Sequence, residues 1–178
     1  HLKHPISIEL DYMRPSIIPN LLEAAIKNQN RNIENIALFE IGSIFEGINI
    51  ESQKQCLSGI RSGFNHERNL YKDHRKVDVF DAKSDIFGIL EELGIDSTKP
   101  QISTKNLPKY YHPKRAGSLS LGKNLLGYFG QLHPKIIKAY ELDHDVVAFE
   151  LFIDNVPMPK PKLGRKGSLK ISDYQANK

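Results

Sequence analysis

The run Ile36 to Phe45 restricts the fold more than any other stretch of this chain. At strand spacing, Ala37, Phe39, Ile41 and Phe45 share one face, while Ile36, Leu38, Glu40 and Ile44 share the other. Both faces are mostly apolar, which predicts a central strand covered on both sides. Gly42 inside it marks a bulge or a close backbone approach.

The segments around this run alternate between two periods. Residues 1–15 read as extended or irregular. A helix then begins near Ser16, the expected N-cap, with Pro19 tolerated in its first turn. Ile17, Ile18, Leu21, Leu22, Ala25 and Ile26 form a single apolar stripe at helical spacing. The polar run from Asn28 ends the helix near Arg31. Cys56 to Phe64 reads as a second strand, and Asn65 to Lys76 as a loop or short surface helix. A second helix follows Val77, capped by Asp81 or Ser84, with Ile86, Phe87, Ile89, Leu90 and Leu93 inward and Gly94 as its stop. Ile95 to Tyr110 is a connection with two prolines. Strands over Gly117–Leu121 and Leu125–Gln131 form a hairpin through Gly122-Lys123-Asn124. A short helix over Pro134–Tyr140 and a last strand over Val146–Ile153 complete the pattern. Strands arrive in adjacent runs, so the expected class is α+β with an antiparallel sheet.

Composition narrows the function. At 178 residues the chain is long enough for one domain with a real core. Its single cysteine excludes a disulfide framework and a cysteine zinc site. No apolar run approaches a membrane span, and no signal peptide opens the chain. A soluble, cytoplasmic domain is expected, and the start at His1 without Met suggests a fragment of something longer. The net charge is +4, yet Pro157 to Lys178 alone holds six basic residues and one acid. The basic balance therefore belongs to the tail, and residues 1–156 have no global field to draw in a phosphate backbone. Lys160, Lys162, Arg165 and Lys166 are the candidate RNA contacts; the alternating Pro157, Pro159 and Pro161 equally suit a solvated linker.

Few residues assemble into chemistry. Asp78, Asp81 and Asp85 would align on a helix, where a carboxylate row binds Mg²⁺ or does acid–base work. Acids also gather at helix starts because the dipole favours them there. His112-Pro113 and His133-Pro134 repeat a dipeptide without a third ligand at metal spacing. His66 and His74 read as surface. Cys56 lies in an apolar strand and reads as core. No Walker, dinucleotide or nucleophile-elbow motif is present. From the residues alone, no catalytic set emerges.

Six segments in order resemble one family. Met13-Arg14-Pro15-Ser16-Ile17-Ile18-Pro19-Asn20-Leu21-Leu22 is similar to the Met-Arg-x-Ser-Leu-Leu-Pro-x-Leu-Leu of bacterial phenylalanyl-tRNA synthetase β subunits. Phe39-Glu40-Ile41-Gly42-Ser43-Ile44-Phe45 matches their Phe-Glu-Ile-Gly-x-x-Phe. Val77-Asp78-Val79-Phe80-Asp81-x-Lys83 resembles their Asp-Phe-Phe-Asp-x-Lys. His112-Pro113-Lys114-Arg115-Ala116 resembles His-Pro-Gly-Arg, with Lys114 in place of Gly. Gly127-x-x-Gly130-x-Leu132-His133-Pro134 and Phe149-Glu150-Leu151 complete the series.

The resemblance implies a class II aminoacyl-tRNA synthetase-like module, an antiparallel sheet flanked by helices, over residues 1–156. It also implies that this module is a non-catalytic relative of the catalytic domain. Where active relatives place an arginine on the ATP α-phosphate, this chain has Glu46-Gly47 after Phe45. The implied partner is the α subunit, in an (αβ)₂ heterotetramer, and the candidate interface is Arg14 with Ile17, Ile18, Leu21, Leu22, Ala25 and Ile26. Periodicity leaves core and interface equally open for that stripe. A structural ion pair is expected for Arg14. No cofactor or metal is expected in this chain; the whole enzyme implies ATP and Mg²⁺, with tRNA held through other domains and no membrane involved. Residues 157–178 would be a linker and the truncated start of an anticodon-binding domain. An RNA-binding module acting through the tail and an autonomous ATP-using class II relative are the competing readings.

Overall fold

The computed structural model describes residues 12–47, 52–66, 70 and 74–157. Its elements in chain order are α1 (Ile18–Gln29), β1 (Ile36–Phe45), β2 (Gln53–Ser62), α2 (Val79–Glu92), β3 (Gln101–Ser103), β4 (Tyr111–Leu121), β5 (Asn124–Leu132), α3 (Pro134–Ala139) and β6 (Val146–Phe152), followed by a short 3-10 turn at Ile153–Asn155. The six strands form one sheet in the order β1-β2-β6-β5-β4-β3. Every paired neighbour is antiparallel. The last of the described strands, β6, is thus inserted between β2 and β5, in the middle of the sheet. The expected α+β class with an antiparallel sheet flanked by helices is the observed one.

Each face of the sheet has its own core. On one side Ile17, Ile18, Leu21, Leu22 and Ala25 pack with Ile36, Ile44, Cys56, Ile60, Leu132 and Ala148. The candidate interface stripe on α1 is therefore directed at this chain's own sheet; Ile26 packs at its margin. Residues this deeply buried offer a partner no surface. On the other side Ala82, Ile86 and Leu90 of α2 pack with Leu57, Leu119, Phe129, Val147, Phe149 and Leu151. Burying a side chain of this size stabilises by roughly 1.5–3 kcal/mol.

Strand β1 corrects the expectation drawn from its pattern. Among the described strands it is an edge strand, not a central one. Its Ile36 and Ile44 face the α1 core, but Phe39 is 72% and Ile41 58% exposed on the other face. Helix α2 lies over β5 and β6 and leaves β1 open. Alternation reports which side chains are apolar; which of them receive a cover depends on where the helices pass.

Local details differ in instructive ways. The N-cap of α1 is Ile17, and the helix stops at Gln29. Ser16 still accepts from the Ile18 amide at 3.2 Å through its hydroxyl. Helix α2 is capped by Asp78, not Asp81 or Ser84. Asp78 accepts from the Phe80 amide, and Asp81 at N3 reaches back to the Asp78 amide in a capping box. The helix stops at Glu92 with Leu93 as its C-cap, and Gly94 follows at the expected stop with a φ of +81° that suits glycine. The connection Ile95–Tyr110 contains the short strand β3, paired to β4. Strand β4 begins six residues earlier than expected, at Tyr111. The β4–β5 turn is Gly122-Lys123, since Leu121 pairs with Asn124. Gly42 keeps the β1–β2 register regular and instead admits the Arg14 guanidinium where a Cβ would stand. Residues 1–11 and 158–178 lie outside the described residues, and with them Lys160, Lys162, Arg165 and Lys166.

Candidate functional site

The sheet face beneath α1 gathers the polar residues that do not belong to a core. Glu150 of β6 is 2% exposed and sits at the centre. Ser16 Oγ donates to its Oε1 at 2.6 Å. Tyr110 and Tyr111 donate to its Oε2 at 2.7 and 3.4 Å. Burial pushes the Glu150 carboxyl above its ordinary value, against the three hydroxyl bonds that favour the charged form. Burial and the neighbouring Glu150 charge push both tyrosine hydroxyls up, which keeps them as donors. Every buried side-chain polar atom among the described residues is satisfied.

A cavity of about 180 Å³ opens beside this cluster, lined by Glu46, Lys54, Tyr110, Tyr128 and Glu150. The one cation among its described lining residues, Lys54, is bound to Glu46 Oε2 at 2.6 Å. Arg14 lies near, over Gly42, and pairs with Glu40 while its Nε donates to the Ser43 carbonyl at 3.0 Å. Cys56 is buried, and desolvation pushes its thiol up to about 11, so it is an inert core thiol. Three carboxylates thus surround two cations, and each cation is already engaged. A nucleotide triphosphate needs preorganised cations against its oxygens. The residues here do not fit one.

The other candidates resolve into structure. Asp78 and Asp81 cap α2, and Arg75 forks onto Asp81 at 2.7 and 2.8 Å. Asp85 takes a two-pronged bond from Arg61 at 2.6 and 2.8 Å. The carboxylate row is thus divided among a cap and two arginines. His74 stacks on Phe64 with ring centroids 4.2 Å apart, and His66 lies nearby through a carbonyl contact to the His74 ring. His112 and His133 do come together, with ring centroids 6.5 Å apart. Among the described residues, no group of three or more His, Cys, Asp or Glu is placed to share a metal ion. No described helix is long and apolar enough to cross a membrane.

Sequence reasoning did not single out Glu150 or its tyrosines as a cluster. The available signal was one acid inside the apolar run Val146-Val147-Ala148-Phe149-Glu150-Leu151-Phe152.

Comparison with known proteins decides the family. Residues 1–153 match the model for the phenylalanyl tRNA synthetase beta chain CLM domain. The chain belongs to this family. Relatives agree along almost its whole length. It is 47% identical over 176 residues to a phenylalanine–tRNA ligase beta subunit of Rickettsia bellii, covering 99% of this chain and 20% of the relative. It is 44% identical over 177 residues to that of Rickettsia prowazekii, covering 99% of this chain and 22% of the relative. This β-chain CLM domain thus spans about a fifth of the length of the curated relatives it matches. Among solved structures, a pyrrolysyl tRNA synthetase, PylSc of Desulfitobacterium hafniense, superposes with a TM-score of 0.60 at 16% identity, covering 80% of this chain and 48% of that one. That likeness establishes the class II synthetase fold for the CLM domain.

Proposed function

We propose that this chain is the non-catalytic core module of the β subunit of a phenylalanine–tRNA ligase, an ATP-dependent enzyme that joins phenylalanine to its tRNA, and that it supports assembly with the α subunit. The observation behind the reading is the charge of the cleft. A class II sheet lies under a pocket in which the only lysine among the described lining residues is held by Glu46, and which the buried Glu150 also lines. Adenylate formation needs cations where this module places carboxylates. ATP and Mg²⁺ then belong to the whole enzyme, as does the (αβ)₂ arrangement in the cytoplasm. The module occupies residues 1–156, and residues 157–178 lead towards an anticodon-binding domain.

Mixing the chain with purified α subunit tests the assembly role. Co-elution as one complex at low salt is the expected result, and separate elution counts against it. Amino-acid-dependent pyrophosphate exchange from ATP by the chain alone would overturn the non-catalytic reading.

A further inference from the structure

Charge is distributed unevenly over this fold. Between Ser97 and Tyr140 there are eight Lys and Arg residues and no Asp or Glu. The near-neutral body therefore conceals a wholly basic segment, carrying β3, β4, β5 and α3, and an acidic remainder.

The pairing of β4 with β5 concentrates part of that charge. Tyr111 pairs with Leu132, and the next matched pair is Ala116 with Gly130. Four residues, His112-Pro113-Lys114-Arg115, thus stand opposite Gln131 alone. The bulge throws them outward, and Pro113 is tolerated there because the ladder is interrupted. The amide of His133 donates to the Tyr110 carbonyl at 2.8 Å, so the second tripeptide, His133-Pro134-Lys135, lies beside the first.

The two tripeptides are built alike. His112 Nδ1 accepts from the Lys114 amide at 3.1 Å, and His133 Nδ1 accepts from the Lys135 amide at 3.2 Å. A neutral ring that accepts at Nδ1 has its hydrogen on Nε2. The rings lie 6.5 Å apart at an interplanar angle of 29°, and each uses Nδ1, not Nε2, for its backbone contact. Arg115 Nη1 donates to Gln131 Oε1 at 2.9 Å, which holds the guanidinium against the bulge. Lys109, Lys114, Arg115, Lys135 and Lys138 are all exposed. Among the described residues none of these five cations is in an ion pair.

We infer that this paired His-Pro-Lys surface is a docking site for the phosphate backbone of RNA. The cations are spread over two elements and stay in solvent, which suits a line of phosphates better than one enclosed anion. Exposed cations without carboxylate partners are free to neutralise phosphates and so to release the counterions condensed on the polyanion. The choice of RNA among polyanions rests on the proposed role in charging tRNA. Its residues are different ones from the tail candidates Lys160, Lys162, Arg165 and Lys166.

The test measures binding of a labelled tRNA to the full chain across a salt series. The probes are the double variant Lys114→Glu/Lys135→Glu, a control Lys99→Glu/Lys123→Glu of equal charge change near the far end of the hairpin, and a tail variant with Lys160, Lys162, Arg165 and Lys166 changed to Ala. Urea unfolding checks that each variant is folded. The patch variant is expected to weaken binding about tenfold or more at 0.1 M salt and to lower the log–log salt slope by about 2. The loss should be the same for tRNAs of unrelated sequence and should persist in the tail-variant background. Unchanged affinity in the patch variant, or an equal loss from the control, overturns the proposal. So does patch-dependent binding of polyglutamate or anionic vesicles without binding of tRNA. Co-elution of the patch variant with the α subunit is read separately, so a failed assembly role and a failed RNA surface give different results.

Discussion

Ser16 and Glu150 are 134 positions apart in the chain, and their side chains meet at 2.6 Å. The bond ties the entry to α1 to the middle strand of the sheet. Tyr110 and Tyr111 complete the ring of donors around the same carboxylate.

That ring predicts the response to Glu150→Gln. The amide keeps one acceptor oxygen but turns an NH₂ towards hydroxyls placed to donate. A loss of about 1–3 kcal/mol is expected in urea unfolding at neutral pH. The pH dependence has a definite sign. The folded carboxyl has its pKa raised, so between the ordinary glutamate value and the folded value the native state holds more protons than the unfolded chain. Stability from this group falls as pH rises through the folded value. The advantage of the native chain over the variant should therefore grow as pH is lowered from neutral towards the ordinary glutamate value. Parallel curves at all pH values would refute this account.

Asp81 behaves in the opposite sense. Its bond from Arg75, with the Asp78 amide behind it, holds the carboxyl below its ordinary value. The stabilisation is present above the unfolded aspartate value and is lost as pH falls through the folded one. Asp81→Ala removes half of the capping box and the arginine fork. About 1–2 kcal/mol is expected, with the ion-pair share kept small because Arg75 is partly exposed. Thermal unfolding should show the difference between native and variant shrinking at acid pH.

Two apolar positions should separate core from edge. Leu90 is buried on the inner face of α2, and Leu90→Ala is expected to cost about 2–5 kcal/mol. Phe39 is mostly exposed on β1, and Phe39→Ser should change stability by only about 0.5 kcal/mol. A large loss from Phe39→Ser in the isolated chain would show that the face is covered.

The bulge that presents His112 to Arg115 depends on Gly130. Its φ is +151°, and a Cβ there would strike Ala116 and the Arg115 carbonyl. Gly130→Val should cost about 1–3 kcal/mol from backbone strain alone, with more from the clash. Amide hydrogen exchange should then rise along β4 and β5 before it rises in α2.

Much of the fold was legible because it is local. The stripe from Ile17 to Ala25 has helical spacing, β1 has the bounds expected of it, and Gly94 and Gly122 stand where a stop and a turn belong. The family motifs also lie in contiguous segments, and the family match extends over the residues they occupy. Hydrogen-bond spacing and side-chain period act within a few residues, so the chain states them directly.

Position in the sheet is another matter. Whether Phe39 and Ile41 are covered depends on where α2 passes, and whether β6 is an edge or a centre depends on which strands reach it. The same holds for the carboxylate cluster, where Ser16, Tyr110 and Glu150 meet only after β6 has entered between β2 and β5. His112 and His133 were visible as a repeated dipeptide, but only the β4–β5 register brings the rings together. Sequence by itself determined the three described helices, five of the six described strands and the family. Tertiary structure decided burial, the charge of the cleft and the basic surface, because those quantities arise between segments far apart in the chain.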